Sequence, residues 1–547
     1  MTFASVARPS RVAPKSGVIA TPEFRIAAHW RILLAAASGL LLVLSYPQFD
    51  LYLLAWIAPF LLMIAVAGAR LKMASFCGWV SGFLFYIFTL SWLDTTFQLH
   101  GGVGPFMAAF TVALISAVAA LYRLAFAWCF AWLLRRNLVL ACIAAPFLWI
   151  ASEFGLYSMP AIGFPWNLLG YAAAHSLALL ELAPIAGVWG LGFLIAGFNA
   201  LLFWSLVGWR TRRRLPVAIA VFATALLVSI AAFGGRWVPN AIPDHTARLV
   251  QTDFPEPDSF PPDWLQQHAG EMNQLRQIST EPATPGGAPP GLVVWPEVPA
   301  PFSMQEPRFA AQAAAIGHGT SDGFLVGVVD WKVQPGGHWH AYNSAALIDP
   351  GGRETFLYDK IHLVPFAEYV PFSNWFAFVR RISVEVGNFQ PGTDYKVGTL
   401  ADGHRFGVYI CYEAIFGGEV RRFVRNGAEL LINISNDGWF GRSAAPEQHV
   451  EMARVRAVEN RRWMLRSTNN GHTLDVDPYG RVVASLPVDV RASLEAPYAY
   501  RSDLTLYARW GDWLPVLAMF ASLGFLVVSQ FGRREREAPV SKRRAQN

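Results

Sequence analysis

One thiol, two carboxylates and an ammonium are the groups in this 547-residue chain whose types and settings could do covalent chemistry. Cys411 ends the apolar run 406–410 and precedes a turn toward Gly417-Gly418. A cysteine at a strand-to-helix turn feels the positive end of the helix dipole, which lowers its pKa and favours the nucleophilic thiolate. The other cysteines, Cys77, Cys129 and Cys142, lie in long apolar runs, so Cys411 has no disulfide partner in its own stretch. Glu297 closes the run GLVVWPE, and Lys360 and Glu368 share the stretch DKIHLVPFAE. Charged groups at apolar strand ends are costly unless paired, so these are expected to converge. Together they could carry out acyl transfer: Glu297 as general base, Cys411 as nucleophile, and Lys360 with a backbone N–H near Tyr412 as oxyanion stabiliser. Glu368 and Glu413 would orient Lys360. The plainer alternative is a structural ion pair.

Gly319-Thr320-Ser321-Asp322-Gly323 also matches G-x-S-x-G. A nucleophile elbow needs a strand before it and a helix after it. Here an Ala-rich helical stretch, 308–316, precedes and a strand, 323–331, follows, so the segment reads as a polar loop. His338 and His340 lack further ligands nearby, and no cysteine–histidine spacing suits zinc. No metal and no cofactor is expected.

The elements that must hold these residues begin near 245. Continuous apolar runs at 247–253, 291–297, 323–331, 341–349, 354–359, 404–413, 430–436, 464–472 and 481–486 read as strands. They alternate with helical stretches at 263–278, 308–316, 419–425 and 447–462. Such alternation predicts an α/β unit whose sheets are covered by helices.

The rest of the chain is different. Hydrophobic residues make up 54% of the sequence and charged residues 15%, against about 25% charged in a soluble domain. Disorder is excluded, and a wholly soluble chain does not fit. Eight apolar runs, at 32–46, 51–69, 74–95, 105–134, 137–155, 176–207, 216–234 and 513–531, are candidate membrane spans. Arg8, Arg11, Lys15, Arg25 and Arg31, then Arg70 and Lys72, Arg135 and Arg136, Arg210 and Arg212–Arg214, and the basic C-terminal tail all fall on one side if all eight cross. The loops 47–50, 96–104 and 156–175 carry no Lys or Arg. Positive loops face the cytoplasm, so the formal charge of +6 marks topology and not a nucleic-acid partner. The expected organisation is α + α/β: a cytoplasmic tail at 1–30, seven membrane helices within 31–240, an outer domain at 241–505, and an eighth helix with a basic cytoplasmic tail at 506–547. Arg123, inside the fourth run, is expected to snorkel toward the cytoplasmic interface; the alternative is that the helix ends there and 124–134 lies along the surface. Glu153 and Glu181 flank the outer loop 156–175, and Gly78 and Gly82 form a G-x-x-x-G packing motif.

The stretches YDKIHLVPFAEYVPF, ICYEAIF, SNDGWFG and EQHVEMARVRAVENRRWMLRSTNNG resemble the nitrilase superfamily and, with the eight spans, its membrane-embedded apolipoprotein N-acyltransferase family. Ala367 departs mildly from the glycine usual there before the glutamate. The resemblance implies a nitrilase-like αββα sandwich on the periplasmic side of the bacterial inner membrane, with Glu297, Lys360 and Cys411 as the catalytic triad. It implies a phospholipid acyl donor, phosphatidylethanolamine, and a diacylglyceryl apolipoprotein as acceptor. Nothing suggests an obligate partner subunit, and a monomer is expected. Trp264 and Trp166 are candidate lipid contacts, as are Trp375 and Phe376 in the apolar stretch 371–378. The alternatives are a membrane-anchored nitrilase-like amidase or hydrolase, and a transporter with an accessory domain.

Overall fold

The computed structural model describes residues 24–537, apart from 160–162, 256–260, 285, 334–335, 366 and 370–388. Apolar helices come first: α1 (Ala28–Leu44), α2 (Ala58–Val66), α3 (Leu71–Thr89), α4 (Trp92–Leu99), α5 (Pro105–Leu134), α6 (Leu138–Tyr157), α7 (Leu177–Leu180), α8 (Ala183–Arg210) and α9 (Arg214–Phe233). Among the described residues six helices are long and apolar enough to cross a membrane: α3, α5, α6, α8, α9 and one at 513–530. The first two candidate runs form shorter apolar helices, at Ala28–Leu44 and Tyr52–Val66.

Arg31 and Arg135 do more than carry charge. Arg31 is buried and donates from Nη1 to the carbonyls of Ala65 (2.6 Å) and Ala67 (2.7 Å). Arg135 donates to Ala69 O at 2.6 Å. Arg31 thereby satisfies carbonyls that the end of α2 leaves without intrahelical donors, and Arg135 ties down the turn that follows. Gly78 and Gly82 let α3 and α5 touch. A Cβ on Gly78 would stand 2.5 Å from Ala127 Cβ and 2.6 Å from Arg123 O.

Arg123 does not snorkel. α5 runs on past it to Leu134, and the guanidinium turns inward, 3.7 Å from the Trp149 ring centroid and buried. There it feels the charge of Glu153 and the attraction of an aromatic face. Glu153 is itself buried. It accepts from Trp149 Nε1 (2.9 Å) and the Leu169 N–H (3.1 Å). Glu181 pairs with Arg461.

The globular part is built from β1 (His245–Gln251), α10 (Trp264–Gln267), α11 (Ala269–Thr280), β2 (Leu292–Val294), α12 (Pro307–His318), β3 (Gly323–Val333), β4 (Trp339–Ile348), β5 (Glu354–Asp359), β6 (Val397–Thr399), β7 (Arg405–Ile410), α13 (Gly417–Arg425), β8 (Leu430–Ser435), α14 (Ala445–Asn460), β9 (Met464–Thr468), β10 (Leu474–Val476), β11 (Val482–Ser485) and β12 (Ala492–Tyr498). The helices α15 (Leu506–Trp510) and α16 (Trp513–Glu537) follow. The strands form two six-stranded mixed sheets, ordered β12-β1-β2-β3-β4-β5 and β11-β10-β9-β8-β7-β6.

Strand alternation sorts the side chains. Leu292, Val294, Leu325 and Leu347 join Val408, Ile410 and Leu431 of the second sheet in one core. Val293, Phe324, Val326 and Ile348 point the other way, onto Met272 and Leu275 of α11 and Phe309 and Ile316 of α12. On the second sheet, α14 turns Ala453 and Ala457 toward the sheets and Met452, Val455 and Val458 toward the apolar helices.

Gly78→Val should overpack the α3–α5 contact and cost roughly 1–3 kcal/mol, read as a lower unfolding temperature in detergent. Gly524→Val, in the exposed interior of α16 where a Cβ meets nothing within 4 Å, is the matched control expected to leave it nearly unchanged.

Candidate active site

Glu297 stands three residues past β2. The ladder continues through Trp295 N to Leu325 O (2.8 Å) and Gly327 N to Pro296 O (3.1 Å). Gly327 is required on β3, because a Cβ there would lie 2.7 Å from Glu297 Cα. Lys360 follows β5, its N–H bonded to Asn343 O at 2.8 Å. Its side chain is 1% exposed, and Nζ lies 3.0 Å from Glu297 Oε1 and 3.0 Å from Glu368 Oε1. Glu368 thus meets the ammonium directly.

Asn343 on β4 is the residue that sequence reasoning missed. Its Nδ2 donates to the same two oxygens, Glu297 Oε1 at 2.8 Å and Glu368 Oε1 at 2.7 Å. The second oxygens are also held. Asn436 N–H donates to Glu297 Oε2 (2.9 Å), and Val364 N–H to Glu368 Oε2 (2.8 Å). In the sequence Asn343 is one polar residue in an alternating strand, and nothing in its spacing marks it.

Burial alone would push the Lys360 pKa down, but Glu297 and Glu368 more than reverse this and hold it above its ordinary value. Lys360 is an ammonium across the physiological range.

Cys411 opens a 3-10 turn, Cys411–Ile415, with φ of 48°, the left-handed region. That conformation costs a non-glycine residue roughly 1–2 kcal/mol. The thiol is buried. Burial and then the Glu297 carboxylate raise its pKa, opposed by the Lys360 charge and a hydrogen bond with Ser435. The expected lowering by a helix dipole is therefore outweighed. A 3-10 turn stands between Cys411 and α13, and desolvation is the larger effect. The sulfur keeps its proton until a base removes it.

Glu413 does not touch the Lys360 ammonium. Its Oε2 accepts the Ile410 N–H (2.7 Å), and its Oε1 accepts the Ile361 N–H (2.7 Å), the His362 N–H (3.1 Å) and the Tyr358 hydroxyl (2.8 Å). It clamps the backbone before Cys411 to the backbone after Lys360. Burial pushes its pKa up to about 7 against the pull of these donors. Tyr412 is buried against Phe416 (ring centroids 5.2 Å), and its hydroxyl reaches Gly163 O at 3.5 Å.

Trp166 is buried too. It donates to Gln448 Oε1 at 2.6 Å and packs on Trp92 at 4.8 Å. Trp264 lies in the core beneath the first sheet, stacked on His268 at 4.2 Å. Trp375 and Phe376, with the whole stretch 371–378, lie outside the described residues. Ser321 sits between the end of α12 and the start of β3, the reverse of a nucleophile elbow.

Two layered sheets with a buried carboxylate–ammonium–thiol site define a carbon-nitrogen hydrolase domain, and the family model of that description matches residues 291–491. The model described as the apolipoprotein N-acyltransferase N-terminal domain matches residues 38–201. Apolipoprotein N-acyltransferase of Geobacter metallireducens is 33% identical over 523 residues, covering 94% of this chain and 98% of that one. The enzymes of that name from Azotobacter vinelandii (33% identical; 93% and 96% covered) and Rhodopseudomonas palustris (31%; 95% and 97%) are similar throughout. The chain belongs to the apolipoprotein N-acyltransferase family. Among solved structures, an amidase from Nesterenkonia sp. is 18% identical with a TM-score of 0.35, covering 50% of this chain and 95% of its own. A Saccharomyces cerevisiae member of branch 10 of the nitrilase superfamily is 21% identical with a TM-score of 0.34, covering 48% and 90%.

Two predictions follow from this geometry. Asn343→Leu strips one donor from each of two buried carboxylates and should cost about 2–4 kcal/mol, seen as a lower unfolding temperature. Glu413 has a pKa of about 7 when folded against an ordinary 4.5, so the unfolded carboxyl ionises first. Its contribution to stability is then greatest below 4.5 and is lost as pH rises through about 7. Glu413→Gln should flatten the stability–pH curve in that window.

Proposed function

We propose that this protein is a phospholipid:apolipoprotein N-acyltransferase working through a covalent thioester on Cys411. The observation that carries the reading is the Lys360 ammonium fixed between Glu297 and Glu368, with the Cys411 thiol in its field, in a chain related end to end to enzymes of that name.

The chemistry runs in two halves. Glu297 takes the thiol proton, and Sγ attacks the ester carbonyl of a phospholipid, phosphatidylethanolamine in this reading. The S–C bond forms, the C–O bond breaks, and the proton held on Glu297 passes to the departing oxygen, so the lysophospholipid leaves as an alcohol and Glu297 is a carboxylate again. The α-amino group of a diacylglyceryl-cysteine then attacks the thioester. The N–C bond forms, the S–C bond breaks, and Glu297 carries the amine proton back to sulfur. The attacking amine must be neutral, and an α-amino pKa of about 7.7–8.0 makes a carboxylate base sufficient. Lys360 keeps its proton throughout. With the Tyr412 N–H it would face the tetrahedral oxyanion, where one donor is worth about 3–4 kcal/mol. Asn343 and Glu368 fix Lys360 and Glu297, and Glu413 fixes the peptides on either side. No step calls for a metal or cofactor.

Both substrates are anchored in lipid, which accounts for so large an apolar region beside a hydrolase-like domain. In this reading all eight apolar runs cross the bacterial inner membrane. Both termini, 1–30 and the end of 506–547, are then cytoplasmic, and 241–505 is periplasmic. The basic loops support that orientation. The protein acts as a monomer.

Cys411→Ala should abolish acyl transfer while membrane insertion and folding persist. Intact-mass analysis of wild type with phospholipid should show one acyl adduct on Cys411. An adduct elsewhere, or transfer by the alanine variant, would reject the assignment. Rapid release of fatty acid to water without a lipidated-cysteine peptide would make the protein a hydrolase instead.

A further inference from the structure

A buried polar chain adjoins Cys411 on its α14 side; Ser435 links it to the thiol, and Asn436, between Ser435 and Asp437, holds Glu297. His449, on α14, is fully buried and places Nε2 3.0 Å from the backbone carbonyl of Cys411. Its Nδ1 lies 3.2 Å from Arg466 Nη2 and 3.5 Å from Asp437 Oδ1. The same Nη2 reaches both Asp437 oxygens at 2.9 Å, and Ser435 Oγ donates to Asp437 Oδ1 at 2.8 Å. Arg466 also donates to Asn433 Oδ1.

The partners fix the imidazole. A guanidinium can only donate, so Nδ1 is an acceptor. A carbonyl can only accept, so Nε2 carries the proton. Burial and then the Arg466 charge hold the His449 pKa below its ordinary value, consistent with that neutral form.

The carbonyl of Cys411 and the N–H of Tyr412 belong to one planar trans peptide and point in opposite directions. Whatever anchors the carbonyl also aims the N–H. Cys411 holds a left-handed φ of 48°, a conformation that relaxes unless its surroundings determine it. The turn's first N–H groups have no intrahelical acceptor and so are available to an external one.

We propose that His449 is a positioning residue for acyl transfer: by donating Nε2–H to the Cys411 carbonyl it holds the 411–412 peptide with the Tyr412 N–H aimed at the oxyanion. This rests on Cys411 being the nucleophile. Arg466 serves it by fixing the ring and its tautomer, and Asp437 serves it by holding Arg466 in place. Trp166, stacked on the ring at 6.0 Å between centroids, places the imidazole against the apolar helical region.

The test uses full-length protein in detergent with phospholipid, comparing wild type, His449→Leu, His449→Gln and His449→Asn. Single-turnover acylation of Cys411 is followed by intact mass, and alkylation of its thiol by iodoacetamide is measured in parallel. Alkylation forms no oxyanion. His449→Leu should acylate about 30–100-fold more slowly, since losing one oxyanion donor costs about 100–1000-fold and the peptide is loosened and not removed. Its alkylation rate and its KM for phospholipid should stay within about twofold of wild type, well below that effect. Glutamine places an amide N–H near the Nε2 position and should recover all but about fivefold of the acylation rate. Wild-type acylation in the leucine variant, alkylation falling in parallel with acylation, or no recovery with glutamine would overturn the proposal. If the leucine variant does not fold, the other two decide. Asparagine places its amide near Nδ1, so glutamine fast and asparagine slow supports the role, and equal rates overturn it. Absence of a Cys411 adduct in wild type would instead reject the nucleophile assignment, whatever His449 does.

Discussion

The arrangement depends on one buried ammonium. Lys360 is taken out of water at a cost of several kcal/mol, and that is tolerable only because two carboxylates meet it at hydrogen-bond distance. Two carboxylates around one cation leave a net negative charge, and four further donors answer it: both hydrogens of the Asn343 amide and the N–H groups of Val364 and Asn436. These donors come from β4, from the segment after β5 and from the end of β8, so both sheets must be in register before the charges are satisfied. Each partner tolerates the others, and removing any one leaves a buried group unanswered.

The same logic runs through the junction with the apolar helices. α8 breaks at Ala186 and Gly187, and the freed Val188 N–H is taken by Glu459 Oε1 at 2.8 Å. Glu459 is held by Arg456, whose Nη2 also meets the Tyr171 hydroxyl at 3.2 Å. Gln448 spans the gap as well, accepting from Trp166 and donating to Pro47 O at 2.6 Å. Tyr412, Ile415 and Phe416, just beyond Cys411, are part of one apolar core with the helical bundle. The turn that carries the thiol is thus built jointly by both parts of the chain.

Much of this was legible in the sequence. The apolar strands β2, β3, β7 and β8 stand out because burial on both faces leaves near-continuous apolar runs, and β1 and β4 are legible from the apolar residues in their second halves. β6, β10 and β12 do not stand out, being short or lying at a sheet edge, where composition is mixed. Glu297, Lys360, Glu368 and Cys411 could be singled out as charged or reactive groups in apolar settings. Asn343 and His449 could not, because each acts through geometry across strands far apart in sequence. The pose of Arg123 is not legible, because the sequence shows a charge in an apolar run and does not show Trp149 and Glu153 across the bundle.

The capture of Val188 by Glu459 has a practical corollary. A soluble fragment cut at 241 and 505 would bare the flank of α14, with its Arg456–Glu459 pair stripped of Tyr171 and the α8 break, beside the apolar side chains Met452, Val455 and Val458. Such a truncation would be sticky, and the turn that carries Cys411 would be slack. Inhibitor screening on this enzyme therefore belongs on the intact chain in nanodiscs or micelles, not on an excised reagent.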